Sequence, residues 1–440
     1  MDAARASSAV RKSPPCSTST RSRPMHDPLK IQSPTVAIIG GGPAGLSAAK
    51  MLAKAGVDVT VYEREASAGG IPRHADHPGY GIRDRKRFMG GPKYARVLVE
   101  EVRKAGATIA TRACVTGWAD EDTLEATTPQ GRILIRPKVF CFATGARERP
   151  RPARMIPGDR AAGVLTTGQL QNMVHLHHQE VGKRAVIVGA ELVSWSAALT
   201  LQEAGCRTAA LISRYPKGEA YRLFTTPGGI FFRTRVITES QVVAVHGRGR
   251  VSGVEIENLA TGERSTIDCD TVVFTGDWIG DYELLRSGGV VLDPASSSPI
   301  VDAAMRTSRK GVFAVGNINH PVETADVVAI EGQVAAARIL DHLNGIGVPA
   351  EGVAIKVEAP LRWISPGIHR VGGVTPARER LVSWVDEYIA RPTVVVRQDG
   401  RELSRTRLNW PAAPGRAFRI PSNVLDNAQA GAGEVLVSVE

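Results

Sequence analysis

No two of the five cysteines (Cys16, Cys114, Cys141, Cys206, Cys269) stand within a few residues of each other. That spacing excludes a CxxC redox pair, a zinc ribbon and a self-contained iron–sulfur site, so no metal site is expected. It fits a reducing, cytoplasmic setting. No stretch approaches the roughly 18 continuous apolar residues that a membrane span requires. Aromatic residues make up only 5% of the chain, and no basic run is interleaved with them. The net charge of +11 therefore does not read as a nucleic-acid footprint. Part of the excess is local, because residues 1–33 hold six Lys/Arg against two Asp. This Ser/Arg/Pro-rich tail lacks periodicity and is expected to be disordered. Arg-rich and acid-poor, it faintly resembles a transit peptide. The stronger expectation is that translation starts at Met25, which would leave residues 1–24 untranslated.

What is plentiful is glycine, with 45 residues, and length. A chain of 440 residues exceeds one compact core and suggests two or three domains. The run Val36–Ile39 reads as a buried parallel strand, followed by glycines and a helical pattern over Ala44–Ala53. Val57–Tyr62 completes a βαβ unit. A helix is expected over Tyr94–Lys104, and a segment from Arg132 ends in a strand at Phe142. A second βαβ unit opens at Ala185–Val188, runs through a helix to about Ala204 and resumes at Thr208–Ile212. Residues 241–275 read as a meander closing at Thr271–Phe274. Gly311–Gly316 is a further strand, followed by a helix from about Val327 to Leu343. Beyond 350 the chain becomes β-rich, ending in Glu434–Val439.

The first βαβ unit carries Gly40-Gly41-Gly42-Pro43-Ala44-Gly45, a G-x-G-x-x-G after a strand and opening a helix. Gly40 permits the tight turn, Gly42 lets a pyrophosphate approach, and Gly45 allows close helix–strand packing. The helix N-terminus stabilises phosphate through free amides and dipole. Glu63, 18 residues beyond Gly45, is placed to accept ribose hydroxyls, and Arg64 to cover the adenine. Two later strand-to-glycine turns, Ala143-Thr144-Gly145 and Gly311–Gly316 with Asn317, suit the far half of an extended dinucleotide and argue for FAD. In the second unit Glu191 and Ser194 replace the second and third glycines after Gly189. A carboxylate at the pyrophosphate turn is sterically and electrostatically adverse. This domain is expected to be a scaffold or to hold another nucleotide, and whether it takes NAD(P) stays open.

Taken together, these motifs resemble the two-dinucleotide-domain flavoproteins of the glutathione-reductase type over roughly residues 34–345. The resemblance implies an α/β fold with two Rossmann-like domains: an FAD domain (34–160 and 290–345) with an inserted NAD(P)-type domain (161–289). A small β-rich C-terminal domain (350–440) follows, read as interface or lid. In that family the position of Asn317 is usually Asp, which bonds the ribityl chain. Gly69-Gly70-Ile71-Pro72-Arg73-His74 with His77-Pro78-Gly79-Tyr80-Gly81, Thr166-Thr167-Gly168-Gln169, and Val322-Glu323-Thr324-Ala325-Asp326 support a narrower likeness. They are similar to the larger subunits of hydrogen cyanide synthase, opine oxidase and heteromeric sarcosine oxidase. This implies oxidation of an amine or amino acid, with electrons passing to an iron–sulfur or other electron-transfer protein and to a partner oxidase subunit. It also implies cofactor contacts at Gly70, Ile71, Val115, Gly316, Glu323, Thr324 and Ala325. Arg73 is the candidate for holding a substrate carboxylate, and His74 or His77 for accepting a proton. Each has a plainer reading as a backbone clamp or surface group, and Glu323 as a helix cap. Two alternatives stay open: an NAD(P)H-dependent flavoprotein reductase using Arg214, and a non-catalytic nucleotide-binding subunit of a heteromeric oxidase.

Overall fold

A computed structural model describes residues 29–220, 228, 231–348 and 351–440 of the chain. The first domain is built on five parallel strands in the order Val312–Ala314, Val139–Phe142, Val36–Ile39, Val59–Glu63, Thr108–Thr111. All four residues of the central strand Val36–Ile39 are buried, as expected where helices or sheets cover both faces of a parallel sheet. That strand feeds the helix Pro43–Lys54, whose first position is a proline needing no hydrogen-bond donor. The helix packs against Ala325–Leu343 across Ala44 and Gly332. A Cβ at Gly332 would overlap the Ala44 carbonyl, so glycine sets the close approach of these two helices.

The second domain repeats the arrangement. Its five parallel strands run Val164–Thr166, Thr271–Phe274, Arg184–Val188, Arg207–Ile212, Arg235–Ile237. In both sheets the central strand opens the βαβ unit, and two further strands continue to one side. The outermost strand on the other side precedes the unit in the second domain and follows it, at Val312–Ala314, in the first. That permutation splits the first domain in sequence. The two crossings between domains, Ala146–Glu148 and Trp278–Gly280, pair as an antiparallel ribbon.

Each domain also carries an antiparallel meander. In the second it is Ser240–His246, Gly253–Asn258 and Arg264–Asp268, whereas Thr271–Phe274 leaves it to join the parallel sheet. In the first it is Cys114–Asp120, Thr123–Thr128 and Gly131–Ile135, so the expected segment Arg132–Phe142 is two strands belonging to two sheets. The free edge of Gly131–Ile135 is taken by Lys30–Gln32 in parallel register. This corrects the expected boundary of the tail, since Lys30–Gln32 is strand: an unpaired sheet edge supplies hydrogen-bond partners that composition does not reveal. The remainder of that expectation, residues 1–28, lies outside the described residues.

The C-terminal domain is β-rich as expected. It holds a five-stranded sheet (Ile368–Arg370, Gly352–Val357, Val435–Val439, Thr393–Gln398, Arg401–Arg407) and a three-stranded one (Leu361–Ser365, Arg380–Val385, Phe418–Pro421). They share their own core, including Leu381, Val394, Val396, Phe418 and Val437. Among the described residues no helix is long and apolar enough to cross a membrane.

Candidate functional site

The glycine turn after Val36–Ile39 is crowded on two sides and open on the third. Gly40 adopts φ +108°, and a Cβ there would strike the Ala143 carbonyl. At Gly45 a Cβ would overlap the Gly40 carbonyl and lie 3.1 Å from Ile38 Cγ2. At Gly42 it would meet nothing closer than Gly70 Cα at 4.0 Å. The open side lies over the N-terminus of the helix Pro43–Lys54, where free amides favour an anion. This is the cradle a pyrophosphate requires, and the residues present fit FAD.

Gly70, Gly316 and Glu63 adjoin the same turn. Gly70, at φ +62°, stands against Gly42, and Gly316, at φ +79°, against Ala44. Glu63 is the buried last residue of its strand. Its Oε2 accepts from the Gly41 amide at 2.9 Å and its Oε1 from the Glu65 amide at 2.8 Å. Each oxygen keeps a lone pair for a ribose hydroxyl. Arg64 is largely exposed, 3.7 Å from Asp281. Thr144 donates its hydroxyl to the Asp281 carbonyl at 2.9 Å, beside Gly145 at φ +78°. Val115, half-buried on the antiparallel meander, packs against the core cluster that holds Ile39 and Tyr62, the residues before Gly40 and Glu63.

The Asn317–Ala325 segment is held more tightly than its sequence suggests. Asn317 donates to the Glu323 carbonyl at 2.9 Å and accepts from its amide at 3.0 Å, closing the loop upon itself. Glu323 is buried, and both its carboxylate oxygens take bonds from Arg419 of the C-terminal domain, at 2.7 and 2.6 Å. Thr324 occupies the cap position of Ala325–Leu343, which has no side-chain cap. Glu323 therefore serves a domain contact rather than capping the helix. Nothing local in sequence marks Arg419, 96 residues away.

The three catalytic candidates follow Gly70 and Ile71 on the short 3-10 turn Ile71–Arg73 and beyond. Arg73 places a guanidinium N–H on the Ser67 carbonyl, the clamp arrangement. His77 bonds the Pro78 carbonyl at 2.9 Å and lies 5.2 Å from the Tyr80 ring. His74 is buried, with Nδ1 lacking a partner. Burial, then the neighbouring Arg73 charge, lowers its pKa to about 4, so it is neutral at pH 7.

The second glycine turn differs throughout. Glu191 is the cap residue of Leu192–Glu203, yet its side chain is buried and Oε1 has no hydrogen-bond partner. Burial raises its pKa. Beside it burial, and then the Glu191 charge, pushes Glu219 up to about 8. The C-terminal domain lies directly over both: a Cβ on Gly415 would stand 2.6 Å from Glu219 Cβ and 3.2 Å from Glu191 Cβ. Lys217 sits 4.7 Å over the Tyr388 ring of the same domain. The sequence marks Glu191, but not the loop closing over it.

The pair, Glu191 buried and Glu219 half-buried, is expected to make stability pH-dependent. Folded Glu219 keeps its proton up to about pH 8, whereas the unfolded chain releases it near the ordinary value of 4.5. Stability is therefore expected to fall as pH rises from about 4.5 through 8. Glu219→Gln should flatten that fall, measured as unfolding midpoints between pH 5 and 9. An unchanged pH slope would show that the pair is solvated.

The fold and the cradle define a two-dinucleotide-domain flavoprotein. The chain belongs to the pyridine nucleotide-disulphide oxidoreductase family, which it matches over residues 34–332. It is 27% identical to thioredoxin reductase of Treponema pallidum (strain Nichols) across 70% of this chain and 98% of that protein. It is 25% identical to an opine oxidase subunit of Agrobacterium tumefaciens (strain Ach5) across 72% of this chain and 68% of that one. Among solved structures, thioredoxin reductase of T. acidophilum superposes with a TM-score of 0.60 at 22% identity, over 72% of this chain and 99% of that one. Family and fold imply FAD as cofactor and an oxidoreductase activity.

Proposed function

We propose that this chain is the FAD-binding component of an amine or amino-acid dehydrogenase that passes electrons to a partner subunit. The observation that carries the reading is the closed second turn, where Glu191 is buried under Gly415. A nicotinamide dinucleotide needs an approachable backbone there. The likeness to the opine oxidase subunit supports an amine donor. FAD held by Gly40–Gly45, Glu63 and Gly316 would supply hydride acceptance from a substrate Cα–H. The chain's own task is then positional: to hold the neutral amine with its Cα–H facing the ring and to take up its proton. Neutral His74, beside Gly70–Arg73, is the acceptor this reading assigns, with His77 as the more exposed alternative. Arg73 orders the loop and keeps further donors for a carboxylate.

The likeness to thioredoxin reductase favours a second reading, an NADPH-fed reductase. Against it stand the absence of a CxxC pair and the covered turn. An anaerobic titration separates the two. Amino acids or secondary amines are expected to bleach the flavin band near 450 nm (roughly the usual flavin value), and NADPH alone to leave it intact. Bleaching by NADPH alone would make this chain a reductase. A band that neither donor changes would leave a nucleotide-holding subunit.

A further inference from the structure

The hairpin over residues 78–90 carries charge and apolar surface that the cradle does not use. Its strands Pro78–Tyr80 and Met89–Gly90 pair antiparallel. At the tip the amides of Arg85 and Arg87 both donate to the Gly81 carbonyl, at 3.2 and 3.0 Å. Three side chains then fasten the tip to the first domain. Arg83 gives its amide and its guanidinium to buried Asp326, at 3.0 and 3.2 Å. Asp84 accepts from the Tyr94 hydroxyl at 2.8 Å, and Arg85 makes two parallel bonds of 2.8 Å to Glu101. The hairpin is thereby tied both to Gly91–Lys104 and to Ala325–Leu343, the helix that packs across Ala44 of the cradle.

The other side chains of the tip are left to solvent. Phe88 is 71% exposed and Ile82 45%, although burying a phenylalanine gains about 1.5–3 kcal/mol. Lys86 and Arg87 are exposed and have no ion pair among the described residues. Lys86 adopts φ +55°, a left-handed conformation that a non-glycine residue keeps only where its surroundings impose it. Lys93 and Arg96 are exposed one turn apart on the helix that follows. Residues 82–96 thus hold six Lys/Arg against one Asp. A merely solvated charged loop needs neither an exposed aromatic ring nor three anchors beneath it. An exposed aromatic beside arginine is the composition of a protein-docking surface, and the charge selects an acidic partner. A second copy docked by the same face would set cation against cation. The chain's own residues 1–33, six Lys/Arg against two Asp, do not complement the hairpin either.

We propose that the tip of this hairpin docks an acidic protein, Phe88 and Ile82 entering an apolar depression of the partner and Lys86 and Arg87 meeting its carboxylates. That this partner is the electron acceptor rests on the function proposed above; the docking itself does not. The flavin-loaded full chain is titrated calorimetrically with two strongly acidic electron carriers, a plant-type two-iron ferredoxin and a flavodoxin. At least one is expected to bind at low salt and to weaken about tenfold or more when salt is raised about tenfold. Lys86→Glu with Arg87→Glu should weaken that binding at least about tenfold, and Phe88→Ser by a similar factor with the salt dependence kept. Both variants alter exposed side chains and should melt as the wild type does. Lys356→Glu with Arg401→Glu, exposed on the C-terminal domain, makes the same change in net charge and should weaken binding far less. Binding of neither carrier, or equal loss in the two charge-reversed variants, overturns the proposal. Association with phosphatidylserine vesicles but with neither carrier overturns it too, in favour of a membrane contact. If a carrier binds through the hairpin while no amine bleaches the flavin, the docking stands and the dehydrogenase reading falls. If an amine bleaches the flavin while neither carrier binds, the dehydrogenase reading stands and the docking falls.

Discussion

Gly42→Ala is expected to give a folded protein without its yellow colour. The added methyl meets no protein atom within 4 Å except Gly70 Cα, at that limit. Nor is the backbone strained, because Gly42 has φ −82°, which alanine adopts freely. The variant should therefore unfold at nearly the wild-type temperature. The methyl instead occupies the space through which the pyrophosphate reaches the helix amides. Flavin affinity should drop about a hundredfold or more, equivalent to roughly 2.7 kcal/mol, read as the flavin-to-protein absorbance ratio and by titration of the apoprotein. Gly45→Ala provides the contrast. There the methyl overlaps the Gly40 carbonyl and crowds Ile38 and Ala143, so cofactor and fold should suffer together. Full flavin occupancy in Gly42→Ala would mean that the cradle lies elsewhere.

Arg419→Met should loosen the C-terminal domain from the first domain. Glu323 has a side chain only 1% exposed, and Arg419 supplies bonds to both its oxygens. Removing the cation leaves a buried carboxylate without that partner, a change that typically costs about 3–5 kcal/mol. A multidomain chain has no single unfolding free energy. The effect is therefore sought as a fall of several degrees in the first thermal transition and faster proteolysis between the domains. The double variant Glu323→Gln with Arg419→Met, which removes the charge as well, should recover part of the loss. Unchanged melting and proteolysis in Arg419→Met would show that the contact does not hold the domains.

The sequence by itself determined both dinucleotide folds, the glycine turn at Gly40–Gly45 and the glutamate that stands in the second turn at Glu191. Each is written locally: an apolar run, glycines at fixed offsets and a helical period lie within some thirty residues, where chain geometry leaves few alternatives. The β character of the C-terminal domain was legible for the same reason. The tertiary structure alone decided what that domain does. Arg419 reaches Glu323, Gly415 covers Glu191 and Glu219, and Trp363 and Trp384 face Arg149 and Asp277. These residues are separated by tens to hundreds of positions and carry no periodic or motif signal. Their chemistry arises from burial and from charges brought together by packing, which raise the pKa of Glu219 and pair Glu323. Even the strand Lys30–Gln32 follows this rule, since its order comes from a sheet edge a hundred residues downstream rather than from its own composition.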